Sequence, residues 1–339
     1  MTLSGTKALW LVADIGGTNA RFALYPAGSL ARQDALYHAR MATASVAGPA
    51  TAIARVLEQA DCPTPAAAAL AIAAPVGSHS ADAEISLTNA RWRFTPRAVQ
   101  AELGLERLEV VNDFAALAHA LPLLTDGDRR PLGPALAPRP GRPILVLGPG
   151  TGLGAAAIVA DRHGGWTVVP GEAGHMTAAA CNAEEAEVLD QLRRERGHVS
   201  YERLASGPGL VEIAEALAAL RRAPAPPGTP AEVVAAARAG DRLCEDAIGL
   251  FQNWLATLAG DLALAFGALG GVYLAGGVLG HLEGLFDAEA FRRRLEDKGR
   301  FSDYLARVPL WRLTRPDAAF LGLRRLLSEP PEPGDLQQN

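Results

Sequence analysis

Lysine is almost missing from this sequence. Of the 32 basic residues in 339, only Lys7 and Lys298 are lysine. A P-loop ends in Gly-Lys-Ser/Thr, and a protein kinase places a strand lysine on its phosphates. Neither lysine has such a setting. Nucleotide phosphates, if the chain handles them, must be held mostly by backbone N–H groups and a metal. Cysteine is scarce too: Cys62, Cys181 and Cys244 stand singly, which argues for a reducing compartment and against a disulfide framework or a zinc cluster. Positive charge is not in excess. The formal net charge is −5, so no basic field draws in nucleic acid. Long apolar runs are lacking as well. The N-terminal run 8–13 is too short for a secretory segment before Asp14 interrupts it. Residues 262–279 carry no charge, but Gly267, Gly270, Gly271, Gly276 and Gly277 break them up. They read as a helix end, a buried strand and a glycine turn, not as a membrane span. What remains is an ordinary globular composition, 49% hydrophobic and 20% charged, in a chain long enough for about two domains. A cytoplasmic protein working on small molecules is the expectation.

Short apolar runs bounded by Gly, Pro, Asn or Asp predict strands at 8–13, 20–25, 67–73, 108–111, 144–147, 155–160, 167–169 and 272–275. Helices are expected at 51–60, 96–103, 114–121, 183–196, 208–222, 231–239, 242–266 and 317–327. Thr95-Pro96 opens the second of these as cap and first helical residue. Residues 85–94 read as a strand end and loop. Residues 122–143, with six prolines, three glycines and no periodicity, read as a loop or domain crossover. Residues 329–339 read as a polar tail. A faint repeat is visible: 11–24 and 145–159 both run apolar strand, Gly/Thr-rich turn, apolar strand. Two hairpin-led α/β units would follow, with their glycine turns lining a cleft.

Each candidate site has a plain alternative. Residues 148–154 hold four glycines in seven positions after an apolar strand. Glycine lets consecutive N–H groups point at one anion. A dinucleotide-binding turn would need a helix next; the alternation that follows is a hairpin instead. Asp14 ends a buried strand beside the first turn, where a carboxylate suits magnesium through water, or simply starts a turn. Asn112-Asp113 lies at a strand's C-terminal end, where α/β sheets place ligands. Asp113 there can act as a general base, or the pair can cap a helix. Glu172 and His175, set between glycines, offer acceptors and donors suited to a neutral polyol, although a lone histidine is more often structural.

The stretch Leu11-Val12-Ala13-Asp14-Ile15-Gly16-Gly17-Thr18-Asn19-Ala20-Arg21 comes first. Val111-Asn112-Asp113-Phe114 follows, then the 148–154 turn, Gly171-Glu172-Ala173-Gly174-His175, the run 198–209 and residues 274–278. In this order, over nearly the whole chain, they resemble bacterial ATP-dependent glucokinases of the sugar kinase, Hsp70 and actin group. The resemblance implies an α/β protein of two RNase H-like (actin-like ATPase) domains, with mixed sheets flanked by helices around a central cleft. A small domain, 1–122 plus 314–339, would join a large one, 123–313. It implies transfer of the γ-phosphoryl group of ATP to the 6-hydroxyl of glucose with Mg2+, in a homodimer that needs neither nucleic acid nor membrane. Asp113 would be the general base. Asn112, Asp113, Glu172, His175, Glu202 and Asn89 would bind glucose, with Thr88 and Trp92 resembling part of the same sugar-side loop. Asp14, Gly16, Gly17, Thr18, Asn19, Gly150, Thr151, Gly152, Gly276 and Gly277 would face ATP, with Asp14 near the magnesium. From the residues alone, Glu184, Glu185 and Glu187 compete with Glu202. The repressor/kinase branch with its zinc-binding cysteine cluster is disfavoured, since Cys181 stands alone. A kinase for another hexose, or a non-catalytic sugar-sensing regulator on the same fold, are the alternatives; the regulator would need a DNA-binding segment, and only seven residues precede the first strand.

Overall fold

The computed structural model describes residues 8–30, 34–74, 81–87 and 92–330. They group into two compact units. One holds the described residues up to Leu124 and from Pro316 onward; the other is Thr125–Arg315.

The first unit starts with the expected hairpin. Strands β1 (Leu9–Ile15) and β2 (Asn19–Pro26) pair antiparallel, from Leu9 opposite Pro26 to Ile15 opposite Ala20. β3 (Tyr37–Ala42) extends them antiparallel to β2. Helix α1 (Pro49–Gln59) crosses to β4 (Ala67–Ile72), which runs parallel to β1. A ribbon of β5 (Ile85–Leu87) and β6 (Trp92–Phe94) stands where a strand end and loop are expected. In α2 (Pro96–Leu103) the Thr95 hydroxyl accepts from the Ala98 N–H at 3.2 Å, the cap the sequence announces. β7 (Arg107–Asn112), parallel to β4, runs straight into α3 (Asp113–Ala120). The sheet order is β3-β2-β1-β4-β7.

Period-two alternation splits β1 between two cores, because successive side chains point to opposite faces. Leu9, Leu11, Ala13 and Ile15 pack with Ile53 and Val56 of α1. Trp10 and Val12 pack with Phe320 and Leu323 of the closing helix Ala318–Ser328. Asp14 falls on that second face. The closing helix also lies directly on α3: a Cβ on Gly322 would come within 1.8 Å of the Ala116 carbonyl oxygen.

The second unit repeats the plan with longer crossovers. β8 (Arg129–Pro131) is followed by the meander β9 (Ile144–Pro149), β10 (Leu153–Ala160) and β11 (Trp166–Gly171). Four helices follow: α4 (Ala183–Arg196), α5 (Gly207–Arg221), α6 (Pro230–Arg238) and α7 (Arg242–Phe266). Then come β12 (Gly271–Leu274), α8 (Gly277–His281), α9 (Ala288–Glu296), α10 (Ser302–Leu305) and β13 (Leu310–Leu313). β9, β12 and β13 are mutually parallel neighbours, and the order is β11-β10-β9-β12-β13-β8. The core of α7 runs Cys244, Ala247, Ile248, Phe251, Trp254, Leu255, Leu258 and Leu262, a helical face buried against its neighbours. No helix among the described residues is long and apolar enough to cross a membrane. The uncharged run 262–279 is the end of α7, the buried β12 and the start of α8.

Several elements go beyond the sequence reading. β3 is an edge strand whose alternation (Tyr37, Ala39, Met41 inward) is diluted by polar residues. β8 lies inside the proline-rich stretch expected to be a loop. It pairs antiparallel with β13 only at the sheet edge, where Pro131 removes no interior ladder bond. α9 is half charged and β13 only four residues long, so neither carries a clear periodicity.

Candidate active site

In the first unit the parallel register brings the expected residues to one end of the sheet. Ile15 of β1 stands opposite Ile72 of β4, and Ile72 opposite Asn112 of β7. Asp14 and the Asn112-Asp113 pair therefore lie two strand spacings apart, about 10 Å. Asn112 is the cap of α3. Its Oδ1 accepts from the Phe114 N–H at 2.9 Å, and its Nδ2 donates to the Ala74 carbonyl at 3.2 Å. The capping alternative thus holds for Asn112, and any further bond from this amide must use its second lone pair or second hydrogen. Asp113 sits in the first turn of α3, where free helical N–H groups suit a carboxylate, and its Oδ1 accepts from Phe114 N–H at 3.0 Å.

Asp14 is half-buried and ion-paired with Arg21, which stands directly across the hairpin. Arg21 also donates to the Pro316 carbonyl at 3.1 Å and lies over the Phe320 ring. The hairpin register alone places Arg21 opposite Asp14. The Gly16–Asn19 turn closes with the Gly16 N–H donating to the Asn19 carbonyl at 3.0 Å. Thr43, fully buried, holds it from outside: its hydroxyl donates to the Gly16 carbonyl at 2.8 Å and its N–H to the Thr18 carbonyl at 2.9 Å. Thr43 follows directly on the edge strand β3. Asn89 and Thr88 lie outside the described residues. Trp92, which follows them, is a core residue at 1% exposure, its Nε1 donating to the Val46 carbonyl at 3.0 Å.

In the second unit the glycine turn 148–154 is packed against protein at Gly148 and Gly152, while Thr151 at its tip is exposed. A Cβ on Gly148 would lie 2.0 Å from the Ala275 carbonyl oxygen, and one on Gly276 would lie 2.3 Å from that of Pro149. The two glycine stretches are backbone on backbone. The Gly150 N–H donates to the Gly152 carbonyl at 2.8 Å, and the Gly150 carbonyl accepts from Gly207 at the start of α5, 2.9 Å away. Gly277 begins α8, with open space beside its Cα.

The Glu172–His175 segment rests on the same turn. Gly174 lies against Leu153, whose carbonyl oxygen a Cβ would meet at 2.2 Å. The Gly174 carbonyl accepts from the Glu202 N–H at 2.8 Å. Glu202 points its carboxylate back: Oε2 accepts from the Leu153 N–H at 2.9 Å, and Oε1 lies 3.9 Å from His175 Nε2. His175 and Glu172 are exposed. Of the four competing glutamates, Glu202 is the one that reaches the turn. Glu184 pairs with Arg221, while Glu185 is fully buried and bound by Arg294 at 2.6 Å. The preceding Tyr201 has its hydroxyl pushed up to about 12 by burial and by Asp261, so it stays a donor, reaching Asp261 Oδ2 at 3.4 Å.

Magnesium fits what is present in the first unit. Among the described residues no three His, Cys, Asp or Glu side chains gather into a metal cluster. Mg2+ keeps most of its water and is held by one or two carboxylates plus phosphates. A single strand-end carboxylate, Asp14, beside a glycine turn suits that habit.

The family model described as glucokinase matches residues 11–330. The chain belongs to the glucokinase family. A glucokinase from Nitrobacter hamburgensis is 42% identical over 326 residues, 95% of this chain and 98% of its own. The crystal structure of a glucokinase from an Antarctic psychrotroph superposes with a TM-score of 0.82 at 34% identity, covering 95% of this chain and 99% of that one. A ROK family glucokinase from Streptomyces griseus, solved with glucose and AMPPNP, shares the fold at a TM-score of 0.61 and 22% identity, over 94% and 99% of the two chains. The α/β class and its mixed sheets are thus those of the glucokinase family.

Proposed function

We propose that this chain transfers the γ-phosphoryl group of ATP to the 6-hydroxyl of D-glucose. The bond from the γ-phosphorus to its bridging oxygen breaks, a bond to O6 forms, and the hydroxyl proton passes to Asp113. Phosphoryl transfer asks mainly for positioning and charge neutralisation. The 16–19 turn and the Gly150–Thr151 end of the second turn, with Gly276 and Gly277 towards the adenosine, face the nucleotide. Asp14 would hold Mg2+ through water, and the ion when bound neutralises phosphate charge. Asn112, Asp113, Glu172, His175 and Glu202, with Asn89, take the sugar. The enzyme acts as a cytoplasmic homodimer.

The observation that carries this reading is the in-register ending of β1, β4 and β7. It puts Asp14, the carboxylate proposed for magnesium, and Asp113, the proposed proton acceptor, on one sheet end at about 10 Å, a span that a sugar hydroxyl and a transferring phosphoryl group would fill. The test is ADP release with glucose, mannose, fructose and N-acetylglucosamine. Glucose should give the highest kcat/KM. A higher value with another sugar would move the assignment to that hexose, and no release with any would favour a sugar sensor. Asp113→Ala should lower kcat at least about 100-fold while glucose still binds. Turnover near the original would remove Asp113 from its role. Light scattering at twice the chain mass checks the dimer.

A further inference from the structure

The turn 148–154 is expected to serve phosphates. Its second half is engaged elsewhere. The Leu153 N–H is donated to Glu202 Oε2 at 2.9 Å, so it points at a carboxylate of this protein. Gly152 lies directly under the same oxygen: a Cβ there would come within 2.4 Å of Oε2 and 3.2 Å of Cδ. A Cβ on Gly150, two residues earlier, would meet nothing within 4 Å. The Glu202 backbone is fixed as well, through its N–H to the Gly174 carbonyl. Glu202 is thus held at both ends, by the His175 loop and by the glycine turn. Its Oε1 remains near His175.

We infer that Gly152 and the Leu153 N–H are positioning residues for the hexose, not phosphate ligands: they seat the Glu202 carboxylate at the height at which, with His175, it meets the sugar ring. The turn is divided, Gly150 facing open space and Gly152 facing Glu202. This rests on the reading of Glu202 as a sugar ligand, but the seat itself is a contact that can be tested without sugar.

The experiment is a double-mutant cycle on the full chain with Gly152→Ala and Glu202→Ala, followed by thermal unfolding and by calorimetric titration with D-glucose and with AMPPNP. Gly152→Ala should weaken glucose at least about tenfold, as expected for displacing one charged hydrogen-bonding group. AMPPNP affinity should change less than about threefold, within the spread of a surface change. Gly150→Ala should not share the glucose defect. In the Glu202→Ala background, Gly152→Ala should have little effect on melting temperature, because nothing is left to displace. Loss of folding in Gly152→Ala that is rescued by adding Glu202→Ala supports the same contact. Equal melting losses in both backgrounds, or a loss of AMPPNP affinity with glucose affinity kept, overturn the inference. If the original chain takes up no glucose, the functional reading falls, while the melting cycle still decides the seat.

Discussion

The two glycine turns look alike in sequence and behave differently in the fold. Both join an antiparallel hairpin at the head of a mixed sheet. The first closes over four residues, Gly16 to Asn19, and the second over three, Gly150 to Gly152. In the first, a Cβ on Gly16 would meet only the Asn19 carbonyl oxygen, at 3.4 Å. That turn is held from one side by Thr43 and keeps Thr18 exposed. The second is enclosed by Ala275, Gly207 and Glu202, with no room for a side chain at Gly148 or Gly152. A glycine run therefore means two things: an open turn in one place, and close backbone packing at Gly148 and Gly152 in the other.

The sharpest way to break this contrast is Gly148→Ala. Its Cβ would overlap a backbone carbonyl that cannot rotate away, and a cost of at least about 3 kcal/mol is expected, read from chemical denaturation midpoints. A loss below 1 kcal/mol, on the order of an ordinary surface change, would show that the second turn is not packed as described.

Next in size is an acid-sensitive point in the first unit. His119 on α3 is buried beside Arg325 and Glu329 of the closing segment, and its imidazole is pushed down to about 4 by burial and by the Arg325 charge. The unfolded chain binds that proton at about 6.5, so between about 6.5 and 4 it holds more protons than the folded protein. Stability is complete above about 6.5 and falls as pH drops towards 4, by up to about 3 kcal/mol. His119→Leu should flatten this slope. An unchanged slope would assign the acid sensitivity to other groups.

Thr43→Val should cost about 1–2 kcal/mol by leaving the Gly16 carbonyl without its donor. It should also raise the KM for ATP while leaving that for glucose nearly unchanged, and the reverse pattern would detach Thr43 from the nucleotide side. The smallest effect belongs to Gly16→Ala, expected within about 1 kcal/mol in stability because its Cβ has ordinary room. A loss as large as that of Gly148→Ala would erase the comparison.

Much of the fold was legible where one physical signal dominated. Buried strands such as Ala67–Ile72 and the face of α7 announce themselves by apolar runs and helical spacing. Thr95-Pro96 marks a helix start because capping is local. β3, β8 and β13 were not legible, since short or edge strands depend on a neighbour for their pairing. Trp92 shows the same limit from the other side: its burial at 1% exposure comes from the fold around it and is not written in its local sequence.

The candidate site divides along the same line. Types and local spacing pointed to Asp14, Asn112, Asp113, Glu172 and His175 as candidates. Which glutamate joins them was open, because Glu184, Glu185, Glu187 and Glu202 are chemically equal along the chain. The bond between Glu202 and Leu153 spans 49 residues of sequence, and Arg294 removes Glu185 across 109. Composition and periodicity report what each residue tends to do with its near neighbours. Which distant groups share one hydrogen bond is set by how sheets and helices close on one another, and only the folded chain decides that.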